Sequence, residues 1–151
     1  MLIGVDPLLS GDLLQVLRDL GHGDVVCIAD CNFPGFEIAR KAGVPWLRMD
    51  CDAPRAVQAV LSVMPLDSFV DEAVHRMEDA ADPAGLNEAH RAVKSVMEQS
   101  AGSRFRLGGI ERFAFYEAAA KSAVVVQTLE RRGYACFLLK KGVIGLDGQV
   151  I

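Results

Sequence analysis

Apolar residues along the chain follow two patterns, short continuous runs and longer stretches in which they recur every three or four positions. Continuous apolar runs are typical of strands covered on both faces, and the longer repeat is typical of helices. The predicted strands lie at residues 25–29, 44–49, 73–77, 105–107, 124–126 and 137–139. The predicted helices lie at about residues 10–20, 36–41, 53–64, 83–99 and 111–120.

Strands that alternate with helices predict an α/β domain. We expect a three-layer sandwich, in which a central mixed or mostly parallel sheet carries helices on both faces. The sequence has no internal repeat and no linker-like segment, so one domain should cover residues 1–151. Residues 145–151 are expected to form a loose C-terminal tail.

Two polar residues interrupt this pattern around the first predicted strand. His22 lies between two glycines before the strand, and Asp30 follows its last apolar residue. Histidine titrates near neutral pH, so a histidine in an accessible turn suits proton transfer. We expect the turn and the strand end to face each other across a cleft, with the carboxylate binding hydroxyls or holding the imidazole in one tautomer. Taken alone, the residues fit ordinary helix caps and loops more readily.

The composition narrows the classes of partner. The chain of 151 residues is 51% hydrophobic and 24% charged, with a formal net charge of −4, which is typical of an ordinary globular protein. An acidic chain lacks the basic surface that nucleic acid or an anionic membrane requires. No apolar stretch approaches the ~20 residues of a membrane span, and no signal-peptide pattern opens the chain. We therefore expect a cytoplasmic protein.

The remaining chemistry-bearing residues do not predict a metal or nucleotide site. None of the four cysteines forms a CxxC pair, and no histidine lies at a zinc-ligand spacing from them. Cys27 is expected to be a small buried hydrophobe, and His75 and His90 are expected at the solvated surface. The glycines around His22 follow a helix and precede a strand, the reverse of a phosphate-binding loop. No cofactor is expected.

Five segments in this order resemble the family of ribose pyranases and fucose mutarotases (RbsD/FucU). They are residues 7–9, Gly-His-Gly-Asp at 21–24, 110–117, Tyr-Ala-Cys at 134–136, and 138–143. The similarity extends from about residue 5 to about residue 143 and is weaker in the middle. The fucose branch is the closer match, because Arg-Phe-Ala-Phe-Tyr-Glu at 112–117 belongs to it and the ribose branch has a histidine near Arg112.

The resemblance implies a sugar mutarotase that acts on a monosaccharide, with L-fucose as the expected substrate. It implies acid/base roles for His22 and for Tyr134, or a water in place of the tyrosine. It implies a sugar-binding set of Asp30, Arg112, Tyr116, Tyr134, Ala135 and Cys136. It further implies a homo-oligomer, a decamer of two stacked pentameric rings with sites near subunit contacts.

Each binding assignment has an ordinary structural alternative. Arg112 lies in the first turn of a helix, where the helix dipole disfavours a cation. A hydrogen-bonding role therefore explains an arginine at this position better than simple exposure on the helix surface does. Phe113 is expected in the core, and Tyr116 is equally suited to core or ligand. Phe115 and Tyr116 together offer apolar surface for the methyl group at C6 of fucose. Tyr134 could instead be a packing tyrosine.

Two positions depart from the family pattern. Cys136 stands where the family usually has asparagine, and Asn32 stands where the fucose branch commonly has histidine. A thiol hydrogen-bonds weakly, so Cys136 would lose a side-chain contact to the sugar. Both departures concern the identity of the sugar more than the reaction. The alternatives are a non-catalytic sugar-binding or regulatory module, or a mutarotase for another aldose such as D-ribose. The presence of His22 favours an enzyme over a binding module.

Overall fold

The structure is a computed structural model that describes residues 2–151. Its strands are β1 (Val25–Ala29), β2 (Trp46–Met49), β3 (Val74–Met77), β4 (Leu107–Ile110), β5 (Val124–Thr128) and β6 (Phe137–Lys140). Its helices are α1 (Gly11–Asp19), α2 (Gly35–Ala42), α3 (Ala53–Leu61), α4 (Glu88–Ala101) and α5 (Arg112–Ala119). Each of these elements overlaps a predicted one.

The strands form one mixed sheet in the order β2-β5-β1-β6-β3-β4. Strand β6 runs antiparallel to its neighbours β1 and β3, and every other pair is parallel. The carboxyl ends of five strands therefore lie side by side with the amino end of β6. Ligands of open α/β sheets bind outside the carboxyl ends of the strands.

Helices cover both faces of the sheet, which confirms the predicted three-layer sandwich. Val26 and Ile28 of β1 belong to a core cluster with residues of α1, α3 and α4. Cys27 and Ala29 belong to a second cluster with residues of α2 and α5. Because successive side chains of a strand point to opposite faces, the two clusters lie on opposite sides of the sheet.

Two element boundaries differ from the prediction. Helix α4 begins at Glu88 rather than at residue 83, because Asp82 accepts the N–H of Gly85 and closes a turn there. Strand β4 extends through Gly108 and Gly109 instead of ending before them. A Cβ at Gly108 would lie 2.6 Å from Cδ2 of His75, so glycine permits this close strand pairing.

The predicted C-terminal tail turns back on itself at the surface. Ile144 pairs with Val150, and the N–H of Ile151 donates to the carbonyl of Val143 over 3.1 Å. Within residues 2–151, no helix has the length and apolar character to cross a membrane. The same residues contain no group of three or more histidine, cysteine, aspartate or glutamate side chains that could hold a metal ion.

Candidate active site

A cavity of about 210 Å³ opens at the carboxyl end of β1, where the loops after β1 and β4 meet the loop before β6. Its lining consists of Asp30, Asn32, Phe33, Met77, Arg112, Tyr116, Gly133, Tyr134 and Cys136. The cavity thus brings together five of the predicted site residues. Larger cavities of about 310 and 390 Å³ elsewhere are lined mainly by apolar side chains, which offer fewer partners to a polyhydroxy ligand.

Asp30 is fixed at the base of this cavity with only 5% of its surface exposed. Its Oδ1 accepts the backbone N–H groups of Asn32 and Phe33, each over 2.9 Å. It therefore closes the turn after β1, whereas Pro34, the N-cap of helix α2, supplies no side-chain hydrogen bond. The turn role and a ligand role coexist, because a carboxylate has several acceptor sites.

Cys136 contacts the second carboxylate oxygen of Asp30. Its thiol donates to Oδ2 over 3.3 Å, and the side chain is fully buried. Burial and then the negative charge of Asp30 raise the pKa of the Cys136 thiol well above its usual value. At neutral pH the thiol is therefore protonated and acts as a donor, not as a nucleophile.

Arg112 and Tyr116 form one wall of the cavity from the first turns of α5. The Nε of Arg112 donates to the Tyr116 hydroxyl over 3.0 Å, and its guanidinium lies 5.6 Å from the centre of the Tyr116 ring. Residues four apart lie on the same face of a helix, so the pair presents donor and acceptor groups side by side.

The two phenylalanines of α5 exchange their predicted environments. Phe113, predicted in the core, is 66% exposed, whereas Phe115 is fully buried and stacks edge-on against Phe33. The helix turns Phe115 and Ala119 toward the sheet, which leaves Phe113 outside. Phe115 therefore cannot offer surface to a ligand, and Tyr116 with Phe33 forms the apolar part of the cavity.

Tyr134 and Cys136 line the cavity, but Ala135 between them does not. The Ala135 side chain is fully buried in the core cluster on the opposite face of the sheet. Side chains alternate in direction along the extended segment that leads into β6, so Ala135 points away from its two neighbours. The Ala135 side chain therefore does not reach the cavity, and the place of this residue in the sugar-binding set stays a prediction.

His22 lies at the other end of β1, outside this cavity. The strand contributes five extended residues between His22 and Asp30, which separates the two residues by more than ~15 Å. The prediction that they face each other across one cleft is therefore wrong within a single chain. An extended strand necessarily places the turn before it and the residue after it at its two opposite ends.

A tight turn presents the His22 ring. Gly23 adopts a φ of +88°, which favours glycine, and its N–H donates to the carbonyl of Lys141 over 2.9 Å. The N–H of Gly21 donates to the carboxylate of Asp24 over 2.7 Å. The turn is thus fixed to the sheet, while the His22 side chain remains 49% exposed.

Asp67 is the carboxylate that contacts His22. The Nε2 of His22 lies 3.1 Å from Oδ1 of Asp67, and the ring packs 5.3 Å from the ring of Phe69. Burial acts to raise the pKa of Asp67, but the N–H of Phe69 and the His22 ring outweigh it and hold the pKa below its usual value. Nδ1 of His22 is left for proton transfer, and Asp67 takes the tautomer-fixing role expected of Asp30.

Sequence reasoning missed Asp67, because an isolated aspartate 45 positions from its partner gives no periodic signal. It also missed Gln127, whose side-chain amide donates to the carbonyl groups of Asp30 and Phe33 and fixes the turn between them. His90 was predicted at the surface and is fully buried, so that prediction is wrong. Its ring contacts the carbonyl of Tyr134, which is distant in the sequence. The charged residues next to His90 in the sequence indicated a surface position instead.

Comparisons with known proteins agree with this architecture. A profile of the RbsD / FucU transport protein family matches residues 3–144. Fucose mutarotase of Homo sapiens is 38% identical over 147 residues, which is 95% of each chain. The fucose mutarotase of Streptococcus pneumoniae, solved in complex with L-fucose, has a TM-score of 0.83 and 30% identity over 95% of this chain and 100% of that chain. Bacillus subtilis RbsD, solved with D-ribose, shares the fold at a TM-score of 0.70 and 19% identity, over 93% of this chain and 98% of that chain.

Proposed function

Because the chain belongs to the RbsD / FucU transport protein family, we propose that it is a mutarotase that interconverts the anomers of a monosaccharide, with L-fucose as its substrate. The observation that carries the proposal is the cavity that unites Asp30, Arg112, Tyr116 and Tyr134. It offers a carboxylate, a guanidinium and two phenols within a small volume. These groups are suited to the closely spaced hydroxyls of a sugar.

Each cavity group has a distinct part in binding. Asp30 accepts hydrogen bonds from sugar hydroxyls, and Arg112 donates to them. The phenols of Tyr116 and Tyr134 can do both. The rings of Phe33 and Tyr116, whose centres lie 5.2 Å apart, provide the apolar contact for the C6 methyl group.

The reaction needs proton transfer only. Opening of the cyclic hemiacetal requires a proton on the ring oxygen and removal of the proton from the anomeric hydroxyl. Reclosure on the other face of the aldehyde carbon inverts C1. His22 supplies or accepts one proton, Tyr134 or a water serves as its counterpart, and no cofactor takes part.

His22 must then reach the cavity of a neighbouring copy. The half-exposed ring and the cavity lie at opposite edges of one chain, and an exposed aromatic residue flanks each of them. Phe69 beside His22 is 65% exposed, and Phe113 beside Arg112 is 66% exposed. Contacts between two different surfaces of the same chain close into rings. We therefore propose a homo-oligomer, a decamer of two pentameric rings, in which each site takes His22 from the adjacent copy.

The proposal also includes a cytoplasmic location, with no nucleic acid or membrane partner. The four cysteines are free thiols, which fits a reducing compartment. None of these points affects the chemistry of the site.

Saturation-transfer NMR on L-fucose and D-ribose under identical conditions tests the function. We expect protein-dependent anomer exchange that is faster for L-fucose and that persists after chelation and gel filtration. Faster exchange of ribose would show that the chain does not have the substrate preference of the fucose branch. Cys136 and Asn32, which depart from the family pattern, would then be the residues that account for the different preference. Saturable binding without exchange would identify a sugar-binding module instead.

A further inference from the structure

Tyr134 has an unusual backbone conformation for a residue of its size. Its φ is +58°, and it is the only residue other than glycine with a positive φ among residues 2–151. The left-handed region is unfavourable for a bulky side chain and persists only where the surroundings hold it. Tyr134 lines the cavity, so the conformation coincides with the candidate site.

The first turn of α4 holds the backbone at this point. Nδ2 of Asn87 donates to the carbonyl of Gly133 over 3.2 Å. The Nε2 of His90 lies 2.9 Å from the carbonyl of Tyr134. Two consecutive carbonyl groups around the left-handed residue are thus bound by two side chains of one helix turn.

The hydrogen bonds of His90 define its tautomer. The N–H of Asn87 donates to Nδ1 of His90 over 3.3 Å, so the neutral ring carries its proton on Nε2 and donates it to Tyr134. The ring is fully buried and stacks edge-on against Phe137 at 6.0 Å. Burial lowers the pKa of His90, which keeps the ring neutral at neutral pH.

Asn87 and His90 also restrain each other. Oδ1 of Asn87 accepts the N–H of His90 over 2.9 Å, so the two form a reciprocal capping box at the start of α4. A third contact joins the same helix turn to the same loop, between Arg132 and Glu88 at 3.2 Å. The loop before β6 is therefore bound to a rigid element rather than to solvent.

We propose that Asn87 and His90 are positioning residues that hold Tyr134 in its left-handed conformation and so direct its phenol into the cavity. The conformational part stands on the contacts above. Its effect on sugar binding rests on the proposed function. Neither residue touches the cavity, so both act through Tyr134.

The variant Asn87→Asp gives a sharp test, because aspartate caps a helix as well as asparagine but cannot donate to the Gly133 carbonyl. His90→Ala removes the second donor, and His90→Gln retains an amide N–H that can replace Nε2. His75→Ala is the matched control, since His75 is half-buried in β3 and its one ion pair within the described residues is with Glu72, at 3.6 Å. If His90→Ala fails to fold, Asn87→Asp still tests the proposal.

Fluorine NMR of fluorotyrosine-labelled protein reads out the conformation without any sugar. The chain has only two tyrosines, Tyr116 and Tyr134, so two resonances are expected and Tyr134→Phe assigns them. We expect the Tyr134 resonance to shift or broaden in Asn87→Asp and His90→Ala, with a smaller change in His90→Gln and none in His75→Ala. The KM for L-fucose should rise roughly three- to tenfold in the first two variants.

Combination with Tyr134→Phe distinguishes positioning through Tyr134 from a general structural role. The KM of Asn87→Asp/Tyr134→Phe should equal that of Tyr134→Phe alone, because the effect passes through the phenol. An unchanged Tyr134 resonance in folded Asn87→Asp, or fully additive KM effects, would overturn the proposal. If the resonance shifts but the wild-type protein does not bind fucose, the positioning stands and the proposed function fails.

Discussion

Asp30 and His22 flank the same strand, but their surroundings differ in every respect. The Asp30 end has a cavity lined by a carboxylate, a guanidinium and two phenols, and no histidine. The His22 end has an imidazole paired with Asp67 at 3.1 Å and lies outside that cavity. One region can bind a polyhydroxy ligand and the other can transfer protons. In the proposed mechanism, two copies of the chain therefore bring these surfaces together.

The two ends also differ in rigidity. The Asp30 carboxylate is buried and accepts three hydrogen bonds, from Asn32, Phe33 and Cys136. The His22 ring is half-exposed, and its only hydrogen-bond partner within the described residues is Asp67. The Asp30 carboxylate is thus held by three contacts within one chain, whereas the imidazole is held by one hydrogen-bond partner.

Replacement of His22 by alanine should have the largest effect on this division of roles. We expect anomer exchange to fall ~10²–10⁴-fold, the usual contribution of general acid–base catalysis, while the Kd for L-fucose stays near the wild-type value. Saturation-transfer NMR gives the rate and calorimetry gives the Kd. His75→Ala serves as the control. Wild-type exchange in folded His22→Ala would remove His22 from the mechanism.

Replacement of Asp30 by asparagine should affect binding instead. The amide oxygen can still accept the N–H groups of the turn, but the charge is lost, so the Kd for L-fucose should rise about 10- to 100-fold. Asp50→Asn is the matched control, because Asp50 also follows a parallel strand but is largely exposed. Lost exchange at unchanged affinity would assign Asp30 to catalysis rather than to binding.

Acid should weaken the loop that carries Tyr134. Arg132 donates to Glu130 over 2.6 Å and lowers the pKa of the Glu130 carboxyl to about 2, from its usual 4.5. A lowered folded-state pKa adds stability that is complete above pH 4.5 and is lost as the pH falls toward 2. Because Arg132 is partly exposed, we expect a contribution of about 2 kcal/mol.

Urea unfolding of the wild type and Glu130→Gln measures this contribution. The difference in unfolding free energy between the two proteins should be largest at pH 7 and close as the pH falls below 4.5. A constant difference across this range would contradict the role assigned to the ion pair.

Replacement of Asp67 by asparagine should have the smallest effect and should sharpen the contrast with Asp30. Asparagine still accepts the N–H of Phe69 but places no negative charge beside the His22 ring. An interaction at a half-exposed group is worth up to ~1 kcal/mol, so exchange should slow by up to about fivefold at unchanged Kd. Single-turnover exchange and calorimetry separate the two quantities. A raised Kd would place Asp67 among the binding residues.

The fold was largely predictable because it depends on local patterns. The continuous apolar runs of the central strands and the three-to-four-residue repeat of the helices lead directly to the observed elements. Prediction failed where tertiary contact overrides local preference. Strand β4 includes Gly108 and Gly109, where a Cβ would lie 2.6 Å from the side chains of His75 and Glu78 respectively, and the start of α4 depends on a turn closed by Asp82.

The site was predictable by residue but not by arrangement. Sequence motifs identified Asp30, Arg112 and Tyr134, which the fold brings to one cavity. They could not identify Asp67 or the buried role of His90, because each depends on a contact 44 or 45 positions away. Motif order along the chain likewise carries no information on which end of a strand a residue reaches, so the prediction placed His22 and Asp30 in one cleft of the same chain.

Complementation between two impaired variants, assayed at L-fucose well below the raised Kd of Asp30→Asn, tests the two-copy site most directly. His22→Ala and Asp30→Asn are co-expressed with different tags, and the mixed oligomer is isolated by sequential affinity steps. A cavity from the first variant can then receive His22 from the second, so about a quarter of the wild-type exchange activity should return under random mixing in a ring. Mixed oligomers that remain as inactive as the parent variants would contradict the account, since His22 and Asp30 would then have to act within one chain.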